Sequence, residues 1–434
     1  MRQHLLREGA SELSYEIRGI VKKAEQLQAL GKTIYWENIG DPIQKNARIP
    51  DWMKAIISDL AMQDDTYGYS HSKGLLETRE FLAKKNNQVG GVQISPSDIT
   101  FFNGLGDAIQ KIYQYLRPTA RVVGPSPAYS THSSAEAGHA NHHPITYELD
   151  PANNWYPDLT DLEMKVKYNP NIVGIMVINP DNPTGMVYPR EILEGIVSIA
   201  REYQLFLIFD EIYMNLIYNG AKQCTLAEIV GDVPGISLKG ISKEFPWPGA
   251  RCGWTEYYNR NADPEFSLLC DTIDNAKMIE VSSTRLPQRA IPLIMSHPKY
   301  PDFIKLNNDK IGEKSRYMER CFEEVPYIRF NRTNGAFYNT IIFKKGVLKP
   351  AQKMAVEDPA VEKLLTAWLT KEMPLDQRFV YYLLAAKQVC VVPISSFASE
   401  LLGFRITLLE EDSSILQETL DRIKSGLFEY CESA

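Results

Sequence analysis

The sequence predicts an α/β protein whose large domain is built on a mostly parallel sheet, and three observations predict it. At 434 residues the chain is long enough for two domains that share one site. The runs I-V-G-I-M-V-I at 172–178 and L-F-L-I-F at 205–209 are continuously apolar, which marks strands covered on both faces, as in parallel sheets. Residues 189–203 lie between them and read as the helix that a right-handed crossover requires.

Composition excludes several classes. A hydrophobic share of 44% with 23% charged residues suits a soluble enzyme rather than a disordered or fibrous chain. The net charge of −7, with the signs interspersed, leaves no basic block to neutralise nucleic-acid phosphates. Cys224, Cys252, Cys270, Cys321, Cys390 and Cys431 form no C-x-x-C pair, as expected of reduced thiols in a cytoplasm. Arg2, Arg7, Glu8, Glu12, Glu16 and Arg18 interrupt the first thirty residues, so no signal peptide is expected there, and no later run reaches a membrane span. The expectation is a soluble, cytoplasmic protein with neither a membrane nor a nucleic-acid partner.

The elements follow in order. Leu13, Ile17, Ile20, Val21, Ala24, Leu27 and Leu30 recur at helical spacing over 11–30, and Gly31 caps the helix. The segment I-Y-W-E-N-I-G-D-P at 34–42 is a short strand turned by Gly40 and Pro42. Y-G-Y-S-H-S-K-G-L-L-E-T-R at 67–79 opens a helix after a glycine-bearing loop; read alone, Tyr69 packs half-buried against that helix. Residues 99–116 are a strand entering a helix through N-G-L-G, a turn whose free N–H groups at Leu105 and Gly106, with the positive end of the helix, suit a phosphate. It is no dinucleotide fingerprint, because the third glycine is missing and Asp107 follows, and it lacks the G-K-[ST] ending of a Walker loop.

R-V-V-G-P-S-P-A-Y at 121–129 is a strand whose closing prolines set Tyr129 at its C-terminal edge. His132, His139, His142 and His143 invite a metal, but their spacing fits no compact ligand set; no metal site is predicted, and a solvated turn is expected there. The buried strand at 172–178 stops abruptly at N-P-D-N-P-T-G, and the one at 205–209 ends in Asp210, Glu211 and Tyr213. Residues 237–254, S-L-K-G-I-S-K-E-F-P-W-P-G-A-R-C-G-W, form a shaped loop, since Pro246 and Pro248 forbid a regular helix. It carries Lys239, Lys243 and Arg251 at fixed offsets; alone it could be an ordinary charged surface loop. A lysine amine serves chemistry when it is held neutral, because only then does it attack a carbonyl. Segments 334–338 (N-G-A-F-Y), 389–397 (V-C-V-V-P-I-S-S-F) and 403–407 (G-F-R-I-T) read as strands, and 345–380 as an irregular insertion of no assigned role.

Taken together, Y-x-x-x-x-G-x-x-x-x-R from Tyr69, the N-G-L-G turn, N-P-D-N-P-T-G, D-E-I-Y from Asp210, S-K-E-F-P-W-P-G-A-R-C-G-W from Ser242, and G-F-R-I-T resemble the fold type I pyridoxal-phosphate enzymes. Within these, the chain is similar to class I/II aminotransferases of the aspartate aminotransferase kind, over roughly residues 35–410. The resemblance implies a large cofactor-binding domain at 55–309, and a smaller α/β domain made from both chain ends, 1–54 and 310–434. It implies pyridoxal 5'-phosphate, joined as a Schiff base to Lys243, with Asp210 on the pyridine nitrogen and Tyr129 stacked on the ring. Asn182 and Tyr213 would meet the phenolic oxygen; Leu105, Gly106, Ser242 and Arg251 would hold the phosphate. Tyr69 would reach the phosphate of the other subunit, which implies a homodimer with shared sites. Gly40, Asn182 and Arg405 would bind substrate, the arginine clamping the α-carboxylate in bidentate fashion.

One position departs from the pattern. The family has a hydroxyl residue three before the lysine, where this chain has Gly240. Lys239 is the other amine of the loop, and the spacing to P-G-x-R favours Lys243. The implied reaction moves an amino group between an amino acid and a 2-oxo acid. A β-eliminating lyase or cyclising synthase of the same fold would share these residues, and a non-catalytic sensor would need a DNA-binding module that the thirty or so residues before the domain do not hold. Arg285 and Arg289 are candidates for a distal substrate carboxylate or plain helix-surface charges.

Overall fold

In the computed structural model, which describes residues 6, 8–12 and 17–433, the apolar runs become the middle of an eight-stranded sheet. In chain order the strands of the protein are β1 (Tyr35–Trp36), β2 (Ile99–Phe102), β3 (Arg121–Ser126), β4 (Thr146–Asp150), β5 (Tyr156–Pro157), β6 (Ile172–Ile178) and β7 (Phe206–Asp210). They continue as β8 (Gly235–Gly240), β9 (Gly253–Tyr258), β10 (Ile328–Arg329), β11 (Tyr338–Phe343), β12 (Val389–Cys390), β13 (Val392–Pro393) and β14 (Gly403–Thr407). The large sheet runs β2-β9-β8-β7-β6-β3-β4-β5. Its centre, β8-β7-β6-β3-β4, is parallel; at the margins β9 and β5 run against it, and β2, beyond β9, runs with it again.

The continuous apolar pattern of β6 and β7 has its cause in the two faces. Val177, Leu207 and Phe209 point into one core, while Met176, Ile178 and Ile208 point into another on the opposite side. Each such side chain, once buried, contributes roughly 1.5–3 kcal/mol. The crossover helix forms at Arg190–Glu202, with Leu193, Ile196, Val197 and Ala200 buried at helical spacing against the first core.

A further core gathers both chain ends. The first helix, Ile17–Ala29, inserts Ile20, Ala24 and Leu27 beside helix Leu375–Lys387, helix Ser413–Glu432 and β11 and β14. β1 pairs in parallel with β12, and β10-β11-β14-β13 form a four-stranded antiparallel sheet. Gly31, at φ +80°, ends the first helix with its N–H on the Gln28 carbonyl. That helix starts later than residue 11: Ala10–Glu12 is a single 3-10 turn, and Leu13 lies outside the described residues. The stretch 345–380 is also more regular than expected. It holds helix Pro359–Trp368, capped by the Asp358 side chain, and the first turns of Leu375–Lys387. The 23-residue helix Tyr300–Phe322 runs through the expected division at 309/310. Among the described residues no helix is long and apolar enough to cross a membrane, and all six cysteines are free.

Candidate active site

In a parallel sheet the strands end together, and the crevice outside their carboxyl ends is where ligands bind. β3, β6, β7 and β8 here deliver, just past their C-termini, Tyr129, Asn182, Asp210 and the loop of Lys243. A cavity of about 590 Å³ opens there, lined by every expected site residue except Tyr69: Gly40, Leu105, Gly106, Tyr129, Asn182, Asp210, Tyr213, Ser242, Lys243, Arg251 and Arg405. A larger cavity, about 760 Å³, lies at the opposite, N-terminal ends of the strands beside Arg117, Phe206 and Leu269, away from all of these groups.

The two lysines of the loop part company. Lys239 lies within β8, buried, with Nζ 2.7 Å from Glu256 Oε2 and 3.6 Å from Glu211 Oε2. Burial alone would lower its pKa, but the two carboxylates outweigh that and hold it above the usual lysine value, so it stays an ammonium and no nucleophile. Lys243, past the strand end, turns into the cavity and donates from Nζ to the Gly40 carbonyl at 2.7 Å.

Asp210 ends β7 with both oxygens bonded. Oδ1 accepts from the Ile212 N–H at 3.1 Å and Oδ2 meets His132 Nε2 at 2.9 Å. A carboxylate only accepts, so Nε2 is the protonated ring nitrogen. This corrects the reading of the four histidines as a solvated turn: His132 and His139 lie on helix Ser130–Ala140, His132 is buried, and only His142 and His143 are exposed.

The turn before helix Leu105–Gln114 is shaped around an arginine. Gly104 has φ +87°, and a Cβ on it would press into the guanidinium of Arg251. Arg251 and the first amides of that helix thus face one spot, an anion cradle of helix N-terminus and fork-shaped cation. Asp107 does not oppose it, since its carboxylate is held by Lys111 at 2.7 Å and Lys277 at 3.3 Å. Gly240 pairs with Gly253 across β8 and β9, where a Cβ would meet the Cys252 carbonyl oxygen at 3.1 Å and Ile212 at 3.1 Å. A Cβ there would be a tight fit that its neighbours would have to ease by a few tenths of an ångström.

Arg405, on β14, is buried at 3% exposure. Nη2 donates to the Asn38 carbonyl at 2.7 Å and Nη1 to Asn182 Oδ1 at 3.1 Å, and the guanidinium lies 4.3 Å from the Tyr338 ring centre and 5.0 Å from that of Phe397. Its Nε–H has no partner, a buried donor suited to an anionic ligand. Tyr213 donates to the Tyr338 hydroxyl at 3.2 Å, and burial, with Tyr338 beside it, pushes the Tyr213 phenol well above its ordinary value. Gly40 lies against that same Tyr338 hydroxyl, where no Cβ fits.

One cavity thus gathers a helix N-terminus beside an arginine, a buried carboxylate, an amine and a second, buried arginine. The sequence profile of the family "aminotransferase class I and II" matches residues 38–423. The chain belongs to this family. Its chemistry is amino-group transfer, and its cofactor is pyridoxal 5'-phosphate. The chain is 51% identical over 433 residues to an uncharacterized aminotransferase of Methanocaldococcus jannaschii, with 100% of both chains covered. It is 27% identical over 399 residues to the glutamate-pyruvate aminotransferase of Escherichia coli, covering 90% of this chain and 96% of that one. Among solved structures, alanine aminotransferase from Pyrococcus furiosus superposes with a TM-score of 0.84 at 27% identity, covering 98% of this chain and 100% of that one.

Several residues of this aminotransferase's site escaped the sequence reading. Tyr338 lines the cavity, as do Val21, Lys22 and Glu25 of the first helix and Asn38, and His132 stands behind Asp210. Tyr338 stood inside a noticed segment, N-G-A-F-Y, with nothing in its spacing to single it out. Tyr69 is 81% exposed and outside the cavity of its own chain. Arg285 donates to its carbonyl at 2.7 Å, and Arg289 pairs with Asp65 at 2.6 Å, so neither arginine enters this cavity.

Proposed function

We propose that Lys243 is the amine of the reaction and that this aminotransferase moves an amino group between an amino acid and a 2-oxo acid in a homodimer with shared sites. The single observation that carries the reading is the convergence of Lys243, Asp210, Arg251 and Arg405 on one cavity. When bound, the cofactor supplies an electron sink for the electron pair left at the substrate's α-carbon. Asp210, oriented by His132 and Ile212, holds the proton on the ring nitrogen. Arg251, Ser242 and the amides of Leu105 and Gly106 hold the phosphate; Tyr129 covers the ring; Asn182 and Tyr213 meet the phenolic oxygen. Arg405, with Gly40 and Asn182 beside it, binds the α-carboxylate and so orients the α-hydrogen toward Lys243, which carries the proton as general base and then acid.

Support for the dimer lies on one face. Tyr67, Tyr69, Met278, Ile279 and Val281 are exposed on two segments tied by Ser70 to the Ser283 carbonyl and Arg285 to the Tyr69 carbonyl. Tyr69 is then free to reach the partner's phosphate. The domain division at 55–309 against 1–54 with 310–434 is likewise our reading, supported by separate cores around the large sheet and around the chain ends. Six free cysteines support a reducing, cytoplasmic location.

Replacing Lys243 with Ala tests the assignment. The variant is expected to lose turnover, the visible band of the loaded protein and borohydride trapping at that position; normal turnover would refute it. Incubating the wild type with alanine or glutamate and a 2-oxo acid should exchange the amino group; no exchange there, together with release of ammonia and pyruvate from serine, which carries a β leaving group, would sink the transfer reading.

A further inference from the structure

Adjacent residues cannot move independently, because their Cα atoms are 3.8 Å apart across a trans peptide. Whatever holds residue 244 therefore holds residue 243. Lys243 sends its side chain into the cavity, and Glu244 sends its own into the protein, where it is 4% exposed. Glu244 Oε2 accepts from Asn215 Nδ2 at 2.8 Å, while Oε1 has no partner. Asn215 lies two residues past Tyr213, on the loop that leaves β7 after Asp210. Its own carbonyl accepts from Asn308 Nδ2 at 2.9 Å, on the long helix Tyr300–Phe322.

We propose that Glu244 is a positioning residue: through Asn215 it ties the backbone that carries Lys243 to the loop that carries Tyr213. The inference rests on the reading of Lys243 as the reacting amine.

The arrangement is costly if it does nothing. A carboxyl oxygen buried without a donor forfeits about 1–3 kcal/mol of solvation. Burial pushes the Glu244 carboxyl up to about 7, with Asn215 and then Lys85, on helix Leu76–Val89, pulling the other way. An apolar side chain would fill the place at less cost but could not accept from Asn215, and the two loops would then meet only through packing. The tie also reaches a helix that enters the core of the chain ends, since Ile311, Met318 and Phe322 are buried there.

The holoenzymes to compare are wild type, Glu244→Ala, Glu244→Gln, Asn215→Ala and the Glu244→Ala/Asn215→Ala double variant. Misplacing a reacting group by about 1 Å costs up to about 100-fold, so each alanine variant should lose roughly 10-fold or more in kcat with KM within about twofold. The double variant should be no worse than the poorer single, and Gln, which can still accept from Asn215, should restore most of kcat. The pH midpoint of the visible band should shift in the alanine variants and return with Gln. In the cofactor-free protein, deuterium uptake should rise in residues 241–253 and not in β7 or β8. Additive losses, a Gln variant as poor as Ala, or unchanged uptake and band would overturn the proposal. If Glu244→Ala does not fold, Asn215→Ala and Glu244→Gln carry the same comparison. A Lys243→Ala protein that keeps its band would instead refute the assignment of the amine, so the two failures are distinct.

Discussion

His132 Nε2 lies 2.9 Å from Asp210 Oδ2, with the two side chains 1% and 5% exposed. The histidine comes from the helix after β3 and the aspartate from the end of β7, so the contact spans two strands of the sheet and fixes the carboxylate's orientation in the cavity floor. Both oxygens of Asp210 are thereby satisfied, as a buried carboxylate requires.

The first prediction concerns this pair. His132→Leu leaves Oδ2 without its donor, and hydrogen bonds to charged groups are worth about 1.5–3 kcal/mol, so kcat should fall about 10- to 100-fold. Asp210→Asn removes the charge itself and should cost more, roughly 1,000-fold. Steady-state kinetics beside an absorbance titration of cofactor affinity decide this; a His132→Leu enzyme at wild-type rate would mean that the Ile212 N–H alone suffices.

Gly104 makes a separate prediction. Its φ of +87° suits glycine, and a Cβ would press on Arg251. Gly104→Ala should lower stability by about 1 kcal/mol or more. It should weaken pyridoxal-phosphate binding by roughly tenfold, because the arginine must leave its charge-assisted position. Equilibrium dialysis measures the second effect, and an unchanged affinity would show that Arg251 does not serve the cradle.

What was legible in the sequence shares a physical cause. Asn182 and Asp210 follow strands buried on both faces, so unbroken apolar runs announced where each strand ends and what stands at its mouth. His132 was illegible because its helix, S-T-H-S-S-A-E-A-G-H-A, buries small and polar groups and shows no apolar stripe. The helix Leu375–Lys387 was missed for the opposite reason: Phe379 to Ala385 are all buried, so no polar face alternates with an apolar one. Pro359, in the stretch read as irregular, is a first-turn residue after the Asp358 cap. Arg285 and Arg289 stayed open between a substrate carboxylate and helix-surface charges because their partners lie more than two hundred residues earlier, at Tyr69 and Asp65.

Stability should depend on pH through Asp181, in the turn that presents Asn182. Burial pushes its carboxyl up to about 7, against bonds from Thr184. A raised acid favours the folded state while protonated: its contribution is full below the ordinary value of 3.8 and is lost as pH rises through about 7. Asp181→Asn removes this dependence and still offers Thr184 an oxygen. Its Tm relative to wild type should therefore be higher at pH 8 than at pH 5, by an amount corresponding to roughly 2 kcal/mol. Calorimetry at the two pH values checks it, and a constant difference would contradict the burial of an ionisable Asp181.

The last prediction separates binding from charge at Arg405. Its guanidinium is pinned by the Asn38 carbonyl and Asn182 Oδ1, and stacked between Tyr338 and Phe397, with Nε–H left over. A lysine there keeps the charge but offers a single ammonium, which cannot span both oxygens of a carboxylate or stack on the two rings. Arg405→Lys should raise KM for both the amino acid and the 2-oxo acid by roughly 100-fold, since one of two charge-assisted bonds is worth about 1.5–3 kcal/mol. The control is an amine substrate that lacks the α-carboxylate: wild type and variant should use it equally poorly. If the variant discriminates against that amine as strongly as against the amino acid, Arg405 acts on the fold of the cavity and not on the carboxylate.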